Sequence, residues 1–248
     1  MPRLLAIPAG GRQIDATLFT PAGPDRPVPP VIMFTDIGGL RPCYDTKAQT
    51  VADAGYAVLL PNVYYRSAAG QVVPPGKAFH EPEVMTVLGS YARQLTPAAL
   101  SEDFAALLGA IDAAPECADG PVGAVGYCMS GSFALRIAAL HPDRIAAAAG
   151  FHSARLAVAD DPHSPAHIVG TIAARVYLGH ADRDSYLPAD EIARLDEALA
   201  RAGVHFTTEL YGGALHGFTA EDASAFDPAA NALHFRRLLT LFEETLVR

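Results

Sequence analysis

Lysine, cysteine and long hydrophobic runs are all scarce in this chain of 248 residues. Only two lysines occur, no basic run exists, and the formal net charge is −9. A partner with a phosphate backbone is therefore not expected, and we predict that the protein binds no nucleic acid. The apolar stretches are short and alanine-rich, and none approaches the ~20 residues that a membrane span requires. We accordingly predict no membrane association.

The cysteines are three in number, Cys43, Cys117 and Cys128, an odd set without the spacing of a metal site. A disulfide scaffold is not expected, and a reducing cytoplasmic location is predicted. The N-terminal residues are too proline-broken for a signal peptide. No glycine-rich phosphate loop follows the early strands, and no histidine pair has fitting metal ligands nearby. The sequence thus predicts neither a cofactor nor a metal.

Short apolar runs alternate with helical patterns along the whole chain, which predicts an α/β protein with a parallel sheet. Predicted strands cover residues 14–19, 31–35, 56–60, 122–127, 145–151, 175–179 and 205–211. Predicted helices cover residues 45–54, 100–113, 132–141, 190–202 and 228–247. Residues 67–82 are rich in polar residues, proline and glycine and predict a long loop. No linker divides the chain, so we expect one domain over residues 1–248.

One run carries most of the chemistry: Gly126-Tyr127-Cys128-Met129-Ser130-Gly131-Ser132. It follows a predicted strand and opens a predicted helix, and glycine two residues before the nucleophile is typical of a nucleophile elbow. The N–H groups at a helix N-terminus favour the thiolate form of a cysteine. The N–H of Met129 would then point at a developing oxyanion. The alternative is that Cys128 is a small buried core residue.

An elbow predicts an acid and then a histidine later in the chain, each after a strand. Asp182 and Asp184 follow the predicted strand at 175–179, and His216 follows the one at 205–211. These are the strand ends where open α/β sheets build their sites. His216 would take the thiol proton and later protonate the leaving group, and a carboxylate would orient the imidazole.

Together these residues resemble the dienelactone hydrolase family, a branch of the α/β-hydrolase fold with a cysteine nucleophile. The resemblance rests on the elbow, on Asp184 four residues before Pro188, and on His216 before Gly217-Phe218, and it spans residues 14–242. The spacing to Pro188 favours Asp184 over Asp182, for which a turn role is the alternative. The resemblance implies an α/β-hydrolase fold with a mostly parallel sheet, helices on both faces and no large cap domain.

The sequence departs from the family pattern at the acid that contacts the resting thiol. The family archetype carries a glutamate there, and this chain has Asp36, which keeps the charge but is one methylene shorter. A turn-forming aspartate is the alternative. The resemblance assigns the second oxyanion donor to the backbone N–H of Ile37, which does not depend on side-chain identity.

A second departure concerns the two arginines with which the archetype grips a substrate carboxylate. Ala220 occupies the place of one, and no arginine lies between Arg66 and Arg93 for the other. Arg66, Arg41 or Arg155 could substitute, although each is equally well explained as a surface residue. Candidates for substrate contact are Arg66, Tyr127 and His152, and for His152 a structural role is the alternative.

The sequence therefore predicts a carboxylic ester hydrolase, in which Cys128 attacks a small ester or lactone, His216 transfers the proton and Asp184 orients it. We expect a monomer or a small homo-oligomer. Two alternatives stay open on the same fold: a binding protein without turnover, and a redox sensor that pairs Cys128 with Cys43 or Cys117.

Overall fold

A computed structural model describes residues 2–23, 26–74, 77–78 and 80–247 of the chain. Internal packing divides the chain into two compact units, Met1–Asp119 and Gly120–Arg248. Within the described residues, no helix has the length and apolar character needed to cross a bilayer.

The first unit contains four strands in the order β1-β2-β4-β3, with β3 and β4 parallel and the other two pairs antiparallel. Its helix α1 packs on β4 and α3 packs on β1. The strands are β1 (Arg3–Ala9), β2 (Arg12–Phe19), β3 (Pro30–Phe34) and β4 (Ala57–Pro61), and the helices are α1 (Pro42–Asp53), α2 (Pro82–Ala92) and α3 (Pro97–Asp112).

The second unit contains four strands that pair in chain order, all of them parallel. Helix α4 packs on β5 and β6, and α6 packs mainly on β6 and β7. The strands are β5 (Val122–Tyr127), β6 (Ile145–Phe151), β7 (Arg175–Arg183) and β8 (Phe206–Leu215). The helices are α4 (Gly131–Leu140), α5 (Ala189–Arg201) and α6 (Pro228–Leu246), with short 3₁₀ turns at Cys128–Ser130, Pro165–His167 and Val169–Thr171.

Strand β5 is covered by helices on both faces, because alternate residues of a strand face opposite sides. A Cβ on Gly123 would lie 2.9 Å from Phe242 of α6, and the hydroxyl of Tyr127 reaches His234 of the same helix. A Cβ on Gly126 would instead meet the backbone that opens α4. All six residues of β5 are buried, which explains their continuous apolar character.

The predicted fold class is confirmed: parallel pairing predominates, helices pack on the strands, and no large cap domain interrupts the described residues.

Two elements were missed by the sequence analysis, β1 and α2. Pro8 obscured β1, but proline is tolerated there because β1 pairs only with β2 within its unit. The described residues between 67 and 81 form neither helix nor strand, and Pro75, Gly76 and Phe79 of the predicted loop lie outside the described residues. The single-domain expectation stays a prediction.

Candidate active site

The nucleophile candidate Cys128 occupies a strained turn between β5 and α4. Its φ of +55° lies in the left-handed region, which a non-glycine residue adopts only when its surroundings hold it there. The buried Ser130 hydroxyl supplies part of that restraint, since it accepts from the N–H of Tyr127 at 2.8 Å and donates to the Tyr127 carbonyl at 3.0 Å. Ser130 therefore closes the turn, and its oxygen is engaged with the backbone.

Two glycines flank the turn because other groups approach their α-carbons closely. A Cβ at Gly126 would lie 1.9 Å from the carbonyl oxygen of Ser130, and one at Gly131 would lie 1.9 Å from the hydroxyl of Ser153. Both separations are far below van der Waals contact. The glycine spacing seen in the sequence thus has a steric cause in the fold.

The acid and base candidates lie together in the second unit, where β7 and β8 end. The Nδ1 of His216 lies 2.7 Å from Oδ2 of Asp184, and the side chain of Asp184 is only 2% exposed. Its other oxygen accepts from the N–H of Tyr186 at 2.8 Å. Asp182 points elsewhere and accepts from the N–H of Gly213 at 2.9 Å. The geometry therefore brings Asp184, and not Asp182, to the histidine.

The side chain of Cys128 also interacts with the imidazole of His216. Burial lowers the pKa of His216, but the Asp184 carboxylate and the Cys128 sulfur outweigh burial and raise this pKa to about 10. Since Nδ1 is engaged with Asp184, the nitrogen available to the sulfur is Nε2. The three groups form a chain that can hold a thiolate beside an imidazolium and can pass a proton from sulfur to a leaving group.

Two further side chains, one beside His216 and one beside His152, were not singled out from the sequence. Tyr186 is 62% exposed, and its ring centroid lies 4.7 Å from that of His216. Thr219 is buried, and its hydroxyl lies 2.8 Å from Nε2 of His152. Their positions two residues after Asp184 and three after His216 were the available signals.

His152 itself lies beside His216, as its place after β6 suggested. Its ring is fully buried, 5.3 Å from the ring of His216, and its backbone has a φ of +36°. It packs directly against His216 and has no exposed surface, so its position favours a supporting role over a substrate contact.

Asp36 lies in the first unit, in a tight turn after β3. Arg41 donates to both of its carboxylate oxygens, at 2.6 and 2.8 Å, and the N–H of Gly38 donates to Oδ1 at 2.8 Å. Asp36 and Arg41 are 4% and 6% exposed, so the ion pair is buried. Ile37 is the residue whose backbone N–H is the proposed oxyanion donor. Its carbonyl accepts from the hydroxyl of Tyr64 at 3.0 Å. The turn is thereby fixed on both sides within its unit.

The other two substrate candidates have structural partners. Arg66 donates to Asp103 at 2.6 Å and to Glu102 at 3.0 Å, and its guanidinium lies 4.6 Å from the centre of the Tyr65 ring. The ring of Tyr127 is fully buried, and its hydroxyl lies 2.9 Å from Nε2 of His234. These contacts favour a structural role for both side chains.

Met129 follows Cys128 in the 3₁₀ turn, which is the position that the elbow requires of an oxyanion donor. No group of three or more His, Cys, Asp or Glu side chains among the described residues has the arrangement of a metal site.

Similarity to known proteins extends over nearly the whole chain. A model of the dienelactone hydrolase family matches residues 14–246. A carboxymethylenebutenolidase of Rhodococcus opacus is 28% identical over 224 residues, covering 87% of this chain and 81% of that enzyme.

Two solved structures show the same fold. One is a dienelactone hydrolase-like promiscuous phosphotriesterase from metagenomic libraries, with a TM-score of 0.80 and 22% identity, covering 99% of this chain and 98% of that one. The other is a dienelactone hydrolase from Anabaena variabilis, with a TM-score of 0.69 and 19% identity, covering 99% and 98%.

Proposed function

This chain belongs to the dienelactone hydrolase family, and from that premise we propose that it hydrolyses a small ester or lactone through an acyl-enzyme on Cys128. One observation carries the proposal: the imidazole of His216 lies 2.7 Å from the Asp184 carboxylate and also interacts with the Cys128 side chain. The similarity to a carboxymethylenebutenolidase supports the wider class, a carboxylic ester hydrolase.

In the first half of the proposed reaction, the Cys128 thiolate adds to the ester carbonyl, forming a C–S bond and an oxyanion. The N–H groups of Met129 and, by family resemblance, Ile37 stabilise that oxyanion. As the C–O bond breaks, Nε2 of His216 gives its proton to the leaving oxygen. Asp184 holds the ring in the required orientation and stabilises its charged form.

In the second half, neutral His216 takes a proton from a water molecule, which adds to the thioester carbonyl. Collapse of this adduct breaks the C–S bond, releases the carboxylic acid and restores the thiolate beside the imidazolium. Every proton taken from water or sulfur is accounted for on His216 or the product.

The substrate class follows from the nucleophile. A tetrahedral adduct of a plain alkyl ester would expel thiolate before alkoxide, whereas an enol or aryl oxygen leaves more readily. We therefore propose activated esters, such as enol lactones or aryl esters. Because Arg66 is bonded to Asp103 and Glu102, we expect neutral substrates to be used at least as well as carboxylate-bearing ones.

Asp36 as the thiol-contacting acid stays a prediction. Its carboxylate accepts three hydrogen bonds in a buried setting, two from Arg41 and one from the N–H of Gly38. Thiolate formation is therefore assigned in our proposal chiefly to His216 and the start of α4. The three free cysteines accord with the cytoplasmic location that we propose.

The test is to trap the acyl group with a generic aryl ester and to locate it by intact mass and peptide mapping. The wild type should carry it on Cys128, and Cys128→Ala should lose both acylation and hydrolysis while keeping its circular dichroism spectrum. Cys117→Ala is the matched control, because burial and the Glu116 carboxylate raise the pKa of the Cys117 thiol to about 11 and keep it protonated.

Acylation of Cys43 or Cys117, with full activity in Cys128→Ala, would end this mechanism. Ester binding without turnover would favour the non-catalytic alternative. A peroxide-induced disulfide on Cys128, with no esterase activity, would favour the redox sensor.

A further inference from the structure

Helix α6 contacts the nucleophile turn through a buried hydrogen bond that the proposed reaction does not use. The hydroxyl of Tyr127, the residue before Cys128, lies 2.9 Å from Nε2 of His234 on α6, and both side chains are fully buried. Nδ1 of His234 lies 3.3 Å from the backbone carbonyl of Asn231, an acceptor, so Nδ1 carries the proton. Nε2 is then the acceptor, and Tyr127 donates to it.

Ring packing holds this pair in place. Phe151 of β6 lies edge-on to His234, with ring centroids 4.4 Å apart, and stacks with Tyr127 at 5.9 Å. Since the backbone of Tyr127 is also bonded to the Ser130 hydroxyl, Tyr127 is fixed at both its main chain and its hydroxyl. A strained residue such as Cys128 keeps its conformation only while such neighbours restrain it.

The same helix also contacts the loop after β8 that carries His216. The residue that caps the N-terminus of α6, Asp227, accepts from the N–H groups of Ala229 and Ala230 at 2.9 and 3.0 Å. Its own N–H donates to the carbonyl of Phe218 at 3.1 Å, two residues after His216. The first two turns of α6 therefore contact both the nucleophile turn and the histidine loop.

We propose that α6 sets the position of the Cys128 sulfur relative to His216, with Tyr127 and His234 as positioning residues. The inference rests on the proposed function, in which His216 exchanges a proton with the sulfur. Proton transfer and attack depend steeply on alignment, so a small movement of the turn lowers turnover without changing substrate binding.

The experiment compares Tyr127→Phe, His234→Leu and His234→Gln. Its readouts are kcat and KM for an aryl ester, and the rate at which iodoacetamide alkylates Cys128 at pH 7. Tyr127→Phe keeps the ring and removes only the hydroxyl. We expect kcat and the alkylation rate to fall about tenfold, the scale of one buried hydrogen bond, with KM within about twofold.

His234→Leu should match Tyr127→Phe, and the double variant should be no worse than either, because one bond is lost in all three. His234→Gln keeps an acceptor and should recover most of the rate. Tyr177→Phe is the matched control: it deletes a hydroxyl on β7, two strands from β5, that is bonded to Glu209 at 2.6 Å, and it should leave kcat and alkylation unchanged.

Wild-type rates in a folded Tyr127→Phe would overturn the inference, even if His234→Leu fails to fold. Equal losses in Tyr177→Phe, or strictly additive losses in the double variant, would also overturn it, since either would indicate general destabilisation. The alkylation rate distinguishes failure of this inference from failure of the proposed function. If the variants show the expected alkylation ratios but the protein hydrolyses no ester, the proposed function is refuted and the inference stands.

Discussion

His180 on β7 should make the protein lose stability in mild acid. It is 1% exposed, and among the described residues neither ring nitrogen has a hydrogen-bond partner. Burial lowers the pKa of His180 to about 4, although the Asp184 carboxylate opposes this effect. The folded protein therefore keeps His180 neutral at a pH where the unfolded chain is already protonated.

The direction in which stability changes with pH follows from proton linkage. Between pH 6.5 and about 4 the unfolded chain binds a proton at this site that the folded chain does not, so the stability present above pH 6.5 is lost as the pH falls. At about 1.4 kcal/mol per pH unit, that interval corresponds to roughly 3 kcal/mol of unfolding free energy. This is a large share of the 5–15 kcal/mol that is typical of a domain.

The assay is urea unfolding followed by circular dichroism from pH 7.5 to pH 4, on the wild type and on His180→Leu. Other groups titrate in both proteins, so the difference between the two curves isolates His180. At pH 7.5 the variant should be at least as stable as the wild type, because an apolar side chain replaces an unpaired buried imidazole. Toward pH 4 the wild type should lose roughly 3 kcal/mol more than the variant. Parallel pH profiles would refute the reasoning.

Three further predictions concern the two turns and the acid. Asp184→Asn should lower kcat on an aryl ester by about 10³–10⁴-fold, while Asp182→Asn should change it less than about threefold; steady-state kinetics showing the reverse order would exchange their roles. Gly126→Ala should prevent folding of the nucleophile turn, because the added methyl would lie 1.9 Å from a carbonyl oxygen, and soluble protein with a native melting curve would contradict this. Arg41→Met should lower the unfolding free energy by about 3–5 kcal/mol, since it leaves the Asp36 carboxylate buried without its cation; an unchanged urea midpoint would show that the pair contributes nothing.

Much of the candidate site could be predicted because its signals are local. The elbow is a short run in which glycine spacing and a strand-to-helix change coincide, and the structure gives both glycines a steric reason. The acid and the histidine follow strands because parallel strands end at a common edge. Family spacing to Pro188 favoured Asp184, and the structure brings that carboxylate to His216. The catalytic roles themselves stay predictions.

Two elements were missed because their sequence patterns are ambiguous when the tertiary structure is not known. Strand β1 was missed because Pro8 broke its apolar run, yet a proline costs little on a strand that pairs on one side within its unit. Helix α2 was missed because it follows directly on the long polar segment, and its few buried residues, Val84 and Leu88, give a weak periodic signal.

The sequence by itself determined the fold class, the position of the nucleophile turn and the chain order of its partners, because these depend on periodicity, spacing and turn chemistry within a few residues. Only the tertiary structure decided which polar groups meet. Asp36 is bonded to Arg41, the Tyr127 hydroxyl lies against His234, and His180 is buried without a hydrogen-bond partner among the described residues. Alternation along a strand tells which face a side chain occupies, but the group that packs against it comes from a distant part of the chain, and packing alone fixes that choice.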